Sequence, residues 1–149
     1  MGIRYAHTNI ICADWQKLAA FYESVFECTF VPPERKQSGH WLAAGTGVKD
    51  AQLNGVHLRL PGHGENGPTL EIYSYQRMED DHPPVANRKG LRHLAFAVDD
   101  VPAIVQKVIT GGGERLGDII TKEIPGAGRI TFAYVSDPEG NIIEVQRWD

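Results

Sequence analysis

The chain has 149 residues, of which 42% are hydrophobic and 23% charged, and its formal net charge is −4. This size is that of one ordinary domain or of two small fused modules, and the acidic balance offers no basic surface for a phosphate backbone. The apolar runs are too short to cross a bilayer, so we expect neither nucleic acid nor a membrane as a partner. The N-terminus lacks the features of a signal peptide, and Cys12 and Cys28 are expected to be buried free thiols, which predicts a cytoplasmic location.

The first predicted element is an apolar strand that begins at His7, and a helix follows it. Asp14 is expected to cap this helix, because an acidic side chain accepts hydrogen bonds from the free N–H groups of a first helical turn. A spacing of three to four residues predicts one buried helix face, formed by Leu18, Phe21, Tyr22 and Val25. Two strands, 55–60 and 69–75, then form a predicted hairpin around a Gly/Pro-rich turn. The strand that carries His57 is expected at a sheet edge, and no metal role is predicted for His57.

The segment 78–89 is rich in charge and proline, and we interpret it as an exposed linker. After it the first pattern repeats: a strand from His93, an Asp100 cap, a helix and a hairpin of strands 129–135 and 142–148. The buried face of this helix is predicted to hold Ile104, Val105, Val108 and Ile109. The first half is longer, and we place its extra residues in 44–55 and 61–68. The glycine-rich stretches 45–47 and 111–113 are interpreted as turns, so no residues for an organic cofactor are predicted.

The two halves predict one domain, 1–149, made of modules 1–77 and 90–149, each with the order strand, helix, three strands. Alternation along the strands places His7 and Glu71 of the first module, and His93 and Glu144 of the second, on the sheet face away from the helix. A lone histidine in a strand is more often a hydrogen-bonded residue than a ligand. The same His–Glu pair in two matching halves instead favours a site for a divalent cation, for which imidazole and carboxylate are suitable ligands.

Four more side chains share these polar faces. Asn9 lies on the face of His7, while the faces of the two glutamates carry Tyr73, Tyr75 and Trp148. We interpret these side chains either as walls of a substrate pocket or, for the aromatic ones, as ordinary core or interface residues.

The segments HTNIICADWQKLAAFY, PTLEIYSY, KGLRHLAFAVDDV and DPEGNIIEVQ resemble the vicinal oxygen chelate superfamily, which includes glyoxalase I, methylmalonyl-CoA epimerase, extradiol dioxygenases and bleomycin-resistance proteins. The resemblance implies an α+β fold in which two βαβββ modules pair their mixed sheets into an open cup-shaped barrel. It also implies one divalent metal ion per site (Ni, Co, Zn or Mn), a homodimer, and Glu144 as both ligand and catalytic base. The implied metal ligands are His7, Glu71, His93 and Glu144.

By this resemblance, the chain is expected to be a metal-dependent glyoxalase-like lyase or isomerase. Such an enzyme acts through a metal-stabilised enolate on a small substrate with vicinal oxygens. A small-molecule binding or resistance protein of the same fold is the alternative, and a ring-cleaving dioxygenase is the second, against which Glu71 counts. Ile11 and Tyr75 replace an Arg and an Asn of bacterial glyoxalase I, which counts against glutathione. Glu71 stands where methylmalonyl-CoA epimerase commonly has Gln, so the sequence does not assign coenzyme A either. It also leaves open whether the site lies within one chain or across a dimer interface.

Overall fold

The computed structural model describes residues 2–79 and 82–149, and the chain divides into two compact units, Met1–Asp81 and His82–Asp149. The first unit contains, in chain order, β1 (His7–Ile11), α1 (Trp15–Phe26), β2 (Thr29–Ser38), α2 (His40–Thr46), β3 (Gln52–Arg59) and β4 (Thr69–Tyr75). Its four strands form one mixed sheet in the order β1-β4-β3-β2, in which β1 is parallel to β4. The first unit therefore has the predicted βαβββ order with one added helix.

The second unit repeats this arrangement with β5 (His93–Ala97), α3 (Val101–Thr110), β6 (Glu114–Arg115), β7 (Ile120–Ile124), β8 (Gly128–Ser136) and β9 (Ile142–Trp148). Its sheet has the order β5-β9-β8-β6, with β5 parallel to β9, and β7 also pairs with β8. Four strands follow the helix instead of the predicted three, because β6 and β7 occupy opposite ends of β8. The interruption lies where Leu116 and Gly117 both donate their N–H groups to the carbonyl oxygen of Tyr134.

Both helices begin at the predicted aspartates. The side chain of Asp14 accepts a hydrogen bond from the N–H group of Lys17, and Asp100 accepts one from that of Ala103. Each cap of this kind stabilises a protein by about 1 kcal/mol. The predicted face of α1 is buried in full, whereas Ile109 of α3 is exposed. The buried face of α3 is instead formed by Val101, Val105 and Val108.

Three predictions for the first half are wrong. The additional element is α2, which begins at His40, before the 44–55 segment that was expected to hold extra residues. The glycine-rich stretch 45–47 forms the end of α2, with Gly47 as its left-handed cap, so it is not a separate turn. The strand with His57 is not at an edge, since β3 lies between β4 and β2. Leu42, the buried residue of α2, packs with Ala51, Leu53 and Tyr73.

The hydrophobic core of each unit lies between a helix and one face of a sheet. Leu70 and Ile72 of β4, and Ile143 and Val145 of β9, are fully buried, in agreement with the predicted alternation. Cys12 and Cys28 are buried free cysteines as predicted, and burial together with the nearby carboxylate of Glu23 raises the pKa of the Cys28 thiol to about 12. The α+β class with two mixed sheets is confirmed, and the pairing of the sheets into a cup stays a prediction.

Within residues 2–79 and 82–149, no helix has the length and apolar character needed to cross a membrane. The predicted linker 78–89 contains neither helix nor strand in its described part, and its residues 80 and 81 lie outside the described residues.

Candidate functional site

The two glutamates predicted as ligands occupy equivalent positions in the two sheets. Glu71 lies in β4 between Leu70 and Ile72, and Glu144 lies in β9 between Ile143 and Val145. Because neighbouring strand residues point to opposite faces, both carboxylates project from the face away from the helix. Each glutamate side chain is only 14% exposed. A carboxylate removed from water to this extent requires hydrogen bonds, a cation or a metal ion as partner.

In the first unit, His7 and Glu71 come together across the parallel strands β1 and β4. His7 Nε2 lies 3.7 Å from Glu71 Oε1, and the His7 side chain is 43% exposed. Asn9 is the register partner of Glu71 and donates a hydrogen bond of 2.8 Å from Nδ2 to the same oxygen. The predicted pocket residue Asn9 is therefore a direct partner of the carboxylate.

In the second unit, the corresponding pair is His93 and Glu144. His93 Nε2 lies 3.2 Å from Glu144 Oε2, and the His93 side chain is 33% exposed. The ring of Tyr134 lies against that of His93, with 5.1 Å between the centroids. Gln146 Nε2 donates a long hydrogen bond of 3.4 Å to Glu144 Oε1, and Trp148 Nε1 in turn donates one of 2.6 Å to Gln146 Oε1. The side chains of Glu144, Gln146 and Trp148 thus form one chain of contacts on the predicted face.

The structure adds one residue that the sequence analysis missed. His57 is the direct cross-strand partner of Glu71, and its Nε2 lies 2.9 Å from Glu71 Oε2. Its Nδ1 lies 3.0 Å from Thr69 Oγ1. Burial lowers the pKa of His57 below its ordinary value, although the charge of Glu71 opposes this effect. This contact was predictable from the hairpin. Residues that pair across β3 and β4 lie at equal sequence distances from Gly64 in the turn, as His57 and Glu71 do.

The two tyrosines of β4, Tyr73 and Tyr75, follow Glu71 along the strand. Tyr73 is buried with Leu42 and Leu53, and Tyr75 packs against the same group. The Tyr73 hydroxyl lies 2.9 Å from His57 Nε2, and burial raises the pKa of Tyr73. Gly55 makes this position available, because a Cβ there would collide with the backbone and the ring of Tyr73. The ring of Tyr73 therefore lies in the core, with its hydroxyl beside His57.

The two carboxylates consequently differ in how firmly they are held. Glu71 accepts a hydrogen bond of 2.8 Å from Asn9 and lies 2.9 Å from His57. At the register positions next to Glu144, the second unit has Ala95 where the first has Asn9, and Tyr134 where the first has His57. Burial and the charge of Glu144 raise the pKa of Tyr134, so this phenol stays neutral. Glu71 is the more restrained carboxylate, and Glu144 keeps more unused acceptor positions.

Each His–Glu pair has the donor atoms and the spacing of two adjacent metal ligands. Ligand atoms about 2.1 Å from a metal and at right angles to each other lie about 3.0 Å apart. The separation of His93 and Glu144 is close to this value, and that of His7 and Glu71 is somewhat larger. Among the described residues there is no group of three or more His, Cys, Asp or Glu side chains that could hold a metal ion as they stand. Each unit, described by itself, therefore supplies two ligands of suitable chemistry.

The chain belongs to the Glyoxalase/Bleomycin resistance protein/Dioxygenase superfamily, whose family model matches residues 4–145. This match confirms the family predicted from the sequence motifs. Among curated proteins, the chain is 30% identical over 138 residues to "Putative glyoxylase CFP32" of Mycobacterium bovis and to the protein of that name from Mycobacterium tuberculosis. The matched region covers 92% of this chain but 41% of those proteins, so the chain spans about two fifths of the length of these relatives.

Solved structures show the same fold. A glyoxalase family protein from Bacillus cereus superposes with a TM-score of 0.83 at 16% identity, covering 99% of this chain and 95% of that one. A glyoxalase I mutant from Zea mays superposes with a TM-score of 0.66 at 20% identity, covering 98% of this chain and 45% of that one. At 16% and 20% identity, this structural similarity shows the fold alone.

Proposed function

We propose that the chain is a metal-dependent lyase or isomerase of the glyoxalase type. Its proposed substrate is a small molecule with oxygens on neighbouring carbons. We also propose that the protein is located in the cytoplasm. His7, Glu71, His93 and Glu144 are the proposed ligands of one divalent ion per site, with Ni, Co, Zn and Mn as candidates. The observation that carries the proposal is the repeated His–Glu pair, because each unit buries a carboxylate beside an imidazole at a spacing suited to adjacent ligands.

The bound metal would supply Lewis-acid stabilisation of the negative charge that develops when a proton leaves the α-carbon of the substrate. The residues of the chain divide the remaining work. Glu71 is restrained by Asn9 and His57, which suits a carboxylate that serves only as a ligand. Glu144 has a long hydrogen bond from Gln146 and a contact with His93, so it is freer to turn and accept a proton. We therefore assign the role of general base to Glu144.

The proposal is tested by screening 2-oxo, 2-hydroxy and acyl-thioester compounds for exchange of the α-proton with solvent deuterium, followed by NMR. We expect at least one class to exchange in the presence of metal and to stop when a chelator removes it. Protein that binds a compound without exchange, with or without metal, would instead be a small-molecule binding or resistance protein. Oxygen consumption with ring cleavage of a catechol would identify a dioxygenase.

We further propose that the chain forms a homodimer. β1 and β2 end the order of the first sheet, and an edge strand presents backbone groups that a second chain is able to pair with. Phe30 of β2 and Trp41 of α2 are large apolar side chains exposed to solvent. We expect light scattering in the micromolar range to give the mass of two chains, and the mass of one chain would contradict the proposal.

A further inference from the structure

We propose that His57 is a positioning residue that donates its Nε2–H group to Glu71 and thereby fixes this carboxylate in the orientation of a metal ligand. The inference rests on the proposed function, since it gives Glu71 its role. Three observations carry it: His57 lies directly across from Glu71 in the β3–β4 register, the two side chains are 2.9 Å apart, and both are largely buried.

The contacts of the imidazole determine which nitrogen carries the proton. Nε2 lies 2.9 Å from Glu71 Oε2 and also 2.9 Å from the Tyr73 hydroxyl, which is able to accept as well as to donate. An unprotonated Nε2 would place its lone pair against the carboxylate oxygen, which is repulsive, so we assign the proton to Nε2. Nδ1 is then an acceptor, and the hydroxyl of Thr69, 3.0 Å away, is its donor. The Thr69 hydroxyl is able to donate to Nδ1, so both ring nitrogens have a partner when Nε2 carries the proton.

The remaining contacts of Glu71 complete the restraint. An ionised carboxylate has about four lone-pair positions. Asn9 occupies one on Oε1, and His57 occupies one on Oε2. The remaining positions are available to a metal. Rotation of the carboxylate would break these hydrogen bonds in a largely buried site, so Glu71 stays in place when a metal binds or leaves.

The second unit lacks this restraint and thereby provides a comparison inside the same chain. Tyr134 is the cross-strand partner of Glu144, in the register position that His57 has opposite Glu71. Its ring lies against His93, and its position gives Glu144 no imidazole donor on that side. Of the two equivalent glutamates, Glu71 is thus held in place and Glu144 is less restrained. This difference agrees with the proposed roles of Glu71 as a metal ligand and of Glu144 as the general base.

The first experiment measures Co²⁺ affinity of the full chain by competition with a chelating dye. Loss of a hydrogen-bond partner of a ligand typically weakens metal binding by about 10- to 100-fold. We expect this loss for His57→Leu and a substantial recovery for His57→Gln, whose amide is able to donate at a similar reach. His63→Leu, in an exposed loop, is the control for loss of a histidine and should bind as the wild type does.

A double-mutant cycle separates positioning from a general effect on folding. In a Glu71→Ala background, His57→Leu should weaken Co²⁺ binding no further, because its effect passes through the missing carboxylate. An equal loss in both backgrounds would overturn the inference. A Co²⁺ absorption spectrum that showed one imidazole fewer in His57→Leu would also overturn it, because His57 would then be a ligand itself.

The second experiment needs no metal, and its deciding measurement is made on the wild type. Long-range ¹⁵N–¹H NMR of the metal-free wild type should show His57 as the Nε2–H tautomer, and Thr69→Val should perturb it. A ring protonated on Nδ1 alone would overturn the positioning role. Failure of the proposed function gives a different result. If the wild type takes up no Co²⁺, Glu71 is not a metal ligand. The NMR result then still decides whether His57 donates a hydrogen bond to Glu71.

Discussion

The double variant His7→Ala/His93→Ala is expected to lose its divalent metal, whereas the wild-type chain should carry about one ion of Ni, Co, Zn or Mn. These two imidazoles are the proposed nitrogen ligands, and each lies within 4 Å of its carboxylate. The remaining carboxylates are hard oxygen ligands that hold a borderline cation weakly without nitrogen partners. The measurement is elemental analysis of protein purified without an affinity tag, followed by titration with each metal.

The control for this experiment removes two other histidines. His63 and His82 are exposed, so His63→Ala/His82→Ala lowers the histidine content equally without touching either pair. We expect this control to keep its metal. Full occupancy in the His7→Ala/His93→Ala protein would show that the proposed ligands are wrong, and loss of metal from both double variants would indicate weak binding at the surface.

The second large effect is expected for Glu144→Gln, which should remain folded and partly metallated but lose α-proton exchange. Glutamine keeps the size of the side chain and a neutral oxygen for the metal, but it accepts no proton at neutral pH. Loss of a general base costs ~10²–10⁴-fold in rate. The measurement is the exchange rate of the substrate found by screening, taken at full loading with metal so that weaker binding does not contribute.

Glu71→Gln is the matched comparison for Glu144→Gln, since the two glutamates have equal exposure and equivalent positions. We expect Glu71→Gln to weaken metal binding and to retain most of its exchange rate once it is saturated with metal. If Glu144→Gln at full loading exchanged as fast as the wild type, Glu144 would not be the base. If Glu71→Gln alone lost exchange, the roles of the two carboxylates would be reversed.

The features that depend on local sequence were predictable. The caps at Asp14 and Asp100 follow from residue types at the start of a helical pattern, and both are confirmed. The outward direction of Glu71 and Glu144 follows from the two-residue period of a strand, and the burial of their neighbours confirms it. The proximity of each histidine to its glutamate was expected only from the repeat and from the family resemblance.

The features that depend on pairing between distant segments were harder to predict. His57 was missed because its strand was expected at an edge, and strand order is set by packing rather than by the residues of the strand alone. α2 was missed because Leu42 is its only buried residue, which leaves no periodic apolar face to detect. The division between β6 and β7 depends on a shared backbone acceptor, the carbonyl oxygen of Tyr134, which no sequence pattern encodes.

The parallel pairing of first and last strands has a consequence for how the protein folds. β1 pairs with β4 and β5 with β9, so each His–Glu pair joins residues from opposite ends of its unit. Contacts of such long sequence separation carry a large loop-closure entropy and form slowly. Each pair is thus complete only after its unit has closed, and a ligand that binds only the closed form adds to its stability by mass action. A cation bound at these residues would stabilise the folded unit, and a partly folded chain would bind it only weakly.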